Sequence, residues 1–134
     1  MGQVSQALPE AVRDFITPSS KKMLIGGKWV EAASGKTFST VNPATAETLA
    51  MVAEGDAEDI NRAVEAARKA FDEGPWPHMK PAERTKVLLR IADLIEKYGD
   101  EFAQLETLDN GKTIFESRNV DIPGSVDTFR YYAG

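Results

Sequence analysis

A single imidazole, His78, and no cysteine are what this 134-residue chain brings to nucleophilic and acid–base chemistry. Without a thiol there is no thiolate nucleophile, no disulfide framework and no Cys/His zinc cluster within the chain. The groups left are carboxylates, hydroxyls, lysine amines and the backbone. His78 stands in the proline-rich stretch PWPHMK with no acid or nucleophile spaced to orient it, so a solvated loop histidine is expected rather than a general base. Ser125 follows a glycine but lacks the G-x-S-x-G frame that mounts a nucleophile on a sharp strand-to-helix turn, and it reads as a helix N-cap. Asp56, Glu58 and Asp59 point only weakly to a cation site, because the helix macrodipole already favours acids at a helix start. Gly26, Gly27 and Gly35 match neither G-x-G-x-x-G nor G-x-x-x-x-G-K-[ST], and serve turns rather than a phosphate cradle. Phe129, Arg130, Tyr131 and Tyr132 would suit base stacking if phosphates had a basic groove to follow. With 16 basic against 21 acidic residues, a net charge of −5 and the two signs interleaved, no nucleic-acid partner is expected. Those aromatics are expected to be buried on a helix face.

These groups hang on elements that change character at Gly55. Before it, MLI and KWV flank Gly26-Gly27 as a two-residue hairpin, Ser34-Gly35-Lys36 makes a second turn, and Thr37 to Val41 and Thr48 to Ala53 flank NPATAE as two more strands. After it the period becomes helical. Asp56 caps a helix with Ile60, Ala63, Val64, Ala67 and Phe71 on one stripe, closed by Gly74-Pro75. Pro81 opens a second helix with Val87, Leu88, Ile91, Leu94, Ile95 and Tyr98, closed by Gly99. Asp100 caps a third through Phe102, Leu105 and Leu108 to a left-handed cap at Asn110-Gly111. Lys112 to Ile122 makes a fourth, which Pro123-Gly124 should break or kink before Ser125 to Tyr132 continues. The fold expected is α+β: antiparallel β ribbons followed by a helical region, without a closed Rossmann sheet. Residues 1–20, with one short amphipathic stretch from Leu8 to Ile16, read as a loosely packed N-terminal arm.

No apolar run approaches the roughly 18 residues needed to cross a bilayer. Met1 to Thr17 has neither the basic start nor the apolar centre of a signal peptide, so a soluble cytoplasmic protein is expected. The chain stops at Gly134 directly after an aromatic-rich helix with no polar tail, and a domain incomplete at its C-terminal end is expected.

The motifs FSTVNP, LETLDNGK and RYYAG occur in that order, within IGGKWVEAASGKTFSTVNPATAE, VAEGDAEDINRAVEAARKAFDEGPW, PAERTKVLLRIADLIEKYGDEFAQLETLDNGKT and DTFRYYAG. Together these segments resemble the N-terminal part of the NAD(P)-dependent aldehyde dehydrogenase superfamily, with residues 21–134 as the N-terminal part of the α/β enzyme's subunit. In the intact enzyme a thiolate attacks an aldehyde, hydride passes to the nicotinamide of NAD or NADP, and a glutamate-activated water hydrolyses the thioester. The resemblance places that thiol, that glutamate, the oxyanion-holding asparagine and the main cofactor contacts beyond Gly134. No catalytic or cofactor-binding residue and no cofactor are therefore expected for this chain alone. A homo-oligomer and an aldehyde substrate are expected for the intact enzyme.

Two functional edges are implied within the chain. One is a monovalent-cation site built from backbone carbonyls, including those of Val41 and Asp109. The other is the aldehyde's tunnel, which the resemblance lines with Val120 and Gly124. Many relatives carry a bulkier residue at the Gly124 position, so glycine there implies room for a larger or aromatic aldehyde. The competing reading is a stand-alone, non-catalytic scaffold or interaction module derived from the same family. A downstream reading frame carrying a cysteine in the nucleophile's context separates the two.

Overall fold

Gly26 and Gly27 both adopt positive φ (58° and 76°), which closes a hairpin between β1 (Met23–Ile25) and β2 (Lys28–Val30). In the computed structural model, which describes residues 8–17 and 20–134, this hairpin is antiparallel with Met23 opposite Val30, Leu24 opposite Trp29 and Ile25 opposite Lys28. A second antiparallel ribbon joins β3 (Thr37–Val41) to β4 (Thr48–Ala53). Helices follow: α2 (Ala57–Glu73), a 3-10 turn at Trp76–His78, α3 (Pro81–Lys97), α4 (Gly99–Asn110), α5 (Ile114–Glu116), a π turn at Ser117–Asp121 and α6 (Ile122–Ala133). Ahead of the ribbons, α1 covers Glu10–Ile16. The α+β order expected from the change of period at Gly55 is the one observed. No described helix is long and apolar enough to cross a membrane.

The described chain groups into two compact units. In the first, residues 20–40 and 50–79, α2 is joined to the β1–β2 region. The key residue is Asp59, 1% exposed on the inner face of α2. Its two oxygens accept the Ala33 N–H at 3.1 Å each, one of them also accepts the Asp56 N–H at 3.2 Å, and the other accepts from Arg62 Nη1 at 3.1 Å. Asp56 reciprocates by accepting the Glu58 N–H at 2.9 Å, completing the capping box at the helix start. Lys21 extends the ribbon edge: its N–H donates to Met51 O at 2.7 Å and its carbonyl accepts from Ala53 N at 2.9 Å.

The second unit, residues 8–17, 41–49 and 80–134, is helical apart from the outer end of the β3–β4 ribbon. Its most extensive pairing is α3 against α6. Apart from Leu108 of α4, the buried apolar side chains of α3, α4 and α6 are small. Ala92 of α3, Ala103 of α4 and Val126 and Ala133 of α6 sit at the centre, while the larger Leu88, Ile91, Leu94 and Ile95 of α3 are only half-buried. Small residues let helices approach closely, and the long side chains around them cover the seam. Thr85 Oγ1 donates to Ala133 O at 2.7 Å and Arg130 pairs with Glu96 at 2.7 Å, fixing the far end of α6 on α3. Within residues 8–17, α1 docks on α4 with Val12 fully buried.

Four local expectations are corrected. Asp100 does not cap α4. That helix starts at Gly99, one residue beyond α3, with Tyr98 at the cap position, and Asp100 instead accepts from Gln104 and Arg118 in the first turn. Ser125 is not an N-cap but lies inside α6. Of the break or kink expected at Pro123-Gly124, the break does not occur: the π turn at Ser117–Asp121 runs directly into α6, with Pro123 in its first turn. Tyr131 and Tyr132 are not buried but 78% and 74% exposed, stacked edge-to-face on each other at 5.1 Å, with Phe129 alone half-buried.

Candidate functional site

Val120 and Gly124 lie one turn apart on the outward side of the π turn and α6. Val120 is 59% exposed, and a Cβ built on Gly124 would meet no atom within 4 Å. Gly124 has ordinary helical φ, so neither the backbone nor a neighbouring atom in the chain demands glycine there. Thr128 Oγ1 donates to Gly124 O at 2.8 Å, a local bond that any residue at 124 would keep. The bare stretch of helix is therefore open surface, set opposite the buried Val126 and Ala133.

What aims this surface escaped sequence reasoning. Ser117, fully buried at the start of the π turn, shares a hydrogen bond with the Thr107 hydroxyl of α4 at 3.0 Å. Asp121, at its end, accepts from Lys112 Nζ at 2.7 Å, and Glu106 lies 3.6 Å from the same ammonium. The hydrogen bond to Asp121, and then the charges of Asp121 and Glu106, hold the Lys112 ammonium above its ordinary range. Farther along α6, the hydrogen bond from Arg130 and then its charge hold the Glu96 carboxyl below the usual carboxylate range. None of these pairs follows a motif; the only signal in the sequence is a proline set inside an otherwise helical run.

The segments carrying the Val41 and Asp109 carbonyls meet in the helical unit. Gly111 caps α4 in the left-handed region (φ 85°), and a Cβ on it would lie 2.7 Å from Pro43 Cγ. Pro43 is two residues past Val41, and Gly111 two past Asp109. The turn is held by Asn42, whose Oδ1 accepts from Ala44 N at 2.9 Å and whose N–H donates to Glu47 O at 2.9 Å. Carbonyl oxygens in such a junction suit a hard monovalent cation. Among the described residues no cluster of three or more His, Asp or Glu side chains could hold a metal ion.

The remaining candidates stay apart. His78 is exposed at the end of the 3-10 turn. Asp56 and Asp59 form the capping box at the α2 N-terminus. The Asp56 carboxylate already sits at that helix start and accepts the Glu58 N–H, so a pyrophosphate would meet like charge there, and the β4–α2 connection does not fit NAD(P).

The aldehyde dehydrogenase family model matches residues 29–134. The chain is 56% identical over 133 residues to aldehyde dehydrogenase family 2 member B4, mitochondrial, of Arabidopsis thaliana, covering 99% of the chain and 25% of that protein. It is 57% identical over 128 residues to the mitochondrial benzaldehyde dehydrogenase of Antirrhinum majus, covering 96% and 24%. The NAD+ complex of an aldehyde dehydrogenase from Bacillus cereus superposes with a TM-score of 0.91 at 49% identity, over 95% of this chain and 26% of that one. The chain thus spans about a quarter of the length of these relatives and corresponds to their N-terminal part. On sequence and fold together, it belongs to the aldehyde dehydrogenase family.

Proposed function

We propose that this chain is the N-terminal portion of an enzyme that oxidises an aldehyde to a carboxylic acid with NAD or NADP, and that it contributes one wall of the aldehyde's tunnel. The observation that carries this reading is the open surface over Gly124 beside the exposed Val120, at the positions the family resemblance assigns to that tunnel. Alone, the chain is inactive: it has no thiol to form the hemithioacetal, and its strand-to-helix connection is closed to a pyrophosphate by its own carboxylates. The missing side chain at Gly124 favours a bulky or aromatic aldehyde, as the name of the snapdragon relative suggests for that protein. The Val41 and Asp109 carbonyls, whose segments converge at Pro43 and Gly111, contribute part of a monovalent-cation site.

The test is direct. The purified 134-residue chain should reduce neither NAD nor NADP in the presence of phenylacetaldehyde, whereas the full-length enzyme containing it should. Turnover by the isolated chain above a heat-killed control, or a full-length protein with no aldehyde oxidation, contradicts the proposal.

A further inference from the structure

The rotation of α6 is set one turn before it begins. In an uninterrupted α-helix the residue-123 N–H would reach the carbonyl of Asn119, but Pro123 has no N–H and its ring collides with that carbonyl. The chain responds with the π turn at Ser117–Asp121, where the Ile122 N–H donates to Ser117 O, five residues back. Asn119 takes up slack on the near side, its Nδ2 donating to Phe115 O at 2.8 Å. Both ends of the turn are tethered, Ser117 to Thr107 of α4 and Asp121 to Lys112. A π turn takes in about one residue more than an α turn, so α6 leaves it rotated by roughly 100° from the path of an uninterrupted helix. At that rotation α6 turns Val126 and Ala133 inward and leaves the bare Gly124 on the outward side, the side on which Val120, four residues earlier, is also exposed.

Resting on the reading of Val120 and Gly124 as tunnel wall, we propose that Pro123 is a specificity-positioning residue. By enforcing the π turn, it fixes the rotation at which the Val120 side chain and the bare Gly124 face the aldehyde, and with it the width available to an aryl group. Pro123 touches no reacting atom in this account; it acts through Gly124. Asn119 supports it by occupying the Phe115 carbonyl.

The experiment compares kcat/KM for phenylacetaldehyde and for acetaldehyde in the full-length enzyme containing this segment and in Pro123→Ala, Asn119→Ala and Gly124→Met. Pro123→Ala restores the missing N–H and permits the α-helical path. The expected result is a roughly tenfold fall in the phenylacetaldehyde-to-acetaldehyde ratio, carried mainly by the KM for the aryl substrate. Asn119→Ala should shift the ratio in the same direction by less. If Gly124→Met changes the ratio and Pro123→Ala does not, the positioning role is wrong while the tunnel reading stands. If none of the three changes it, the tunnel reading itself fails. A Pro123→Ala enzyme that loses both aldehydes equally together with thermal stability overturns the proposal in favour of a purely structural proline. Should Pro123→Ala not fold, Asn119→Ala decides, and an unchanged ratio there overturns the proposal.

Discussion

Gly111 and Pro43 approach more closely than any side chain at position 111 permits, since a Cβ there would stand 2.7 Å from Pro43 Cγ. The same glycine holds φ at 85° to end α4, and its N–H donates to Thr107 O at 3.0 Å. Two requirements thus coincide at one residue, a left-handed backbone and an absent side chain. Gly111→Ala is expected to lower stability by about 1–3 kcal/mol, through the positive φ and the displaced turn together. Urea unfolding of the two chains measures it, and equal midpoints would show that the turn after β3 moves aside freely.

Asp59 is the buried link between α2 and the segment after β2. Asp59→Ala leaves the Ala33 and Asp56 N–H groups without their acceptor, for an expected loss of about 2–4 kcal/mol. Asp59→Asn keeps one acceptor oxygen and should lose less. Denaturant unfolding followed by Trp29 fluorescence orders the three proteins, and an Ala variant no weaker than the Asn variant would contradict the role given to this carboxylate.

The two perturbed ion pairs bracket the pH range of stability. Glu96 titrates in the folded chain below its ordinary 4.5, so its contribution is complete above that value and is lost as pH falls through the lower folded value. Lys112 titrates above its ordinary 10.5, so its contribution is complete below that value and is lost as pH rises through the higher folded value. Melting temperature against pH should lose part of its acid limb in Glu96→Gln and part of its alkaline limb in Lys112→Met. Both effects are small, since the partners are solvated. An alkaline limb unaltered in Lys112→Met would remove the Asp121 tether from this account.

The apolar stripe of α2 was visible in the spacing of Ile60, Val64, Ala67 and Phe71, yet in the structure Ile60, Val64 and Phe71 are all at least 60% exposed. Periodicity identified the helix and its apolar side, while the side joined to the β1–β2 region is the one bearing Asp59 and Ala66. Amphipathicity reports that a face can be buried, not which neighbour buries it. The hairpin at Gly26-Gly27, the cap at Gly111 and the start at Pro81 were legible because each rests on local backbone chemistry. The π turn was not, because a proline in a helical run is equally compatible with a break, a kink or a widened turn, and the partners that tether the widened turn, Thr107 and Lys112, come from elsewhere in the chain. The same limit applied to Tyr131 and Tyr132, whose exposure depends on what packs beside α6.

Because that α2 stripe lies open, the isolated chain is expected to bind a hydrophobic dye and to self-associate. The double variant Val64→Gln, Phe71→Gln should reduce dye fluorescence by about half while leaving helical circular dichroism unchanged. Undiminished fluorescence would place the sticky surface elsewhere.

The proposed room for the aldehyde at the bare helix of Gly124 is tested by the ratio of kcat/KM for phenylacetaldehyde to that for acetaldehyde in the full-length enzyme and its Gly124→Met variant. A Cβ at 124 meets no atom within 4 Å, so methionine should be accepted without disturbing α6. The loss should fall on the substrate that uses that space, by about 1–3 kcal/mol of transition-state binding more for the aryl aldehyde than for acetaldehyde. A ratio that falls by roughly tenfold or more is the predicted result. An unchanged ratio, with both aldehydes handled as before or weakened alike, would contradict the account.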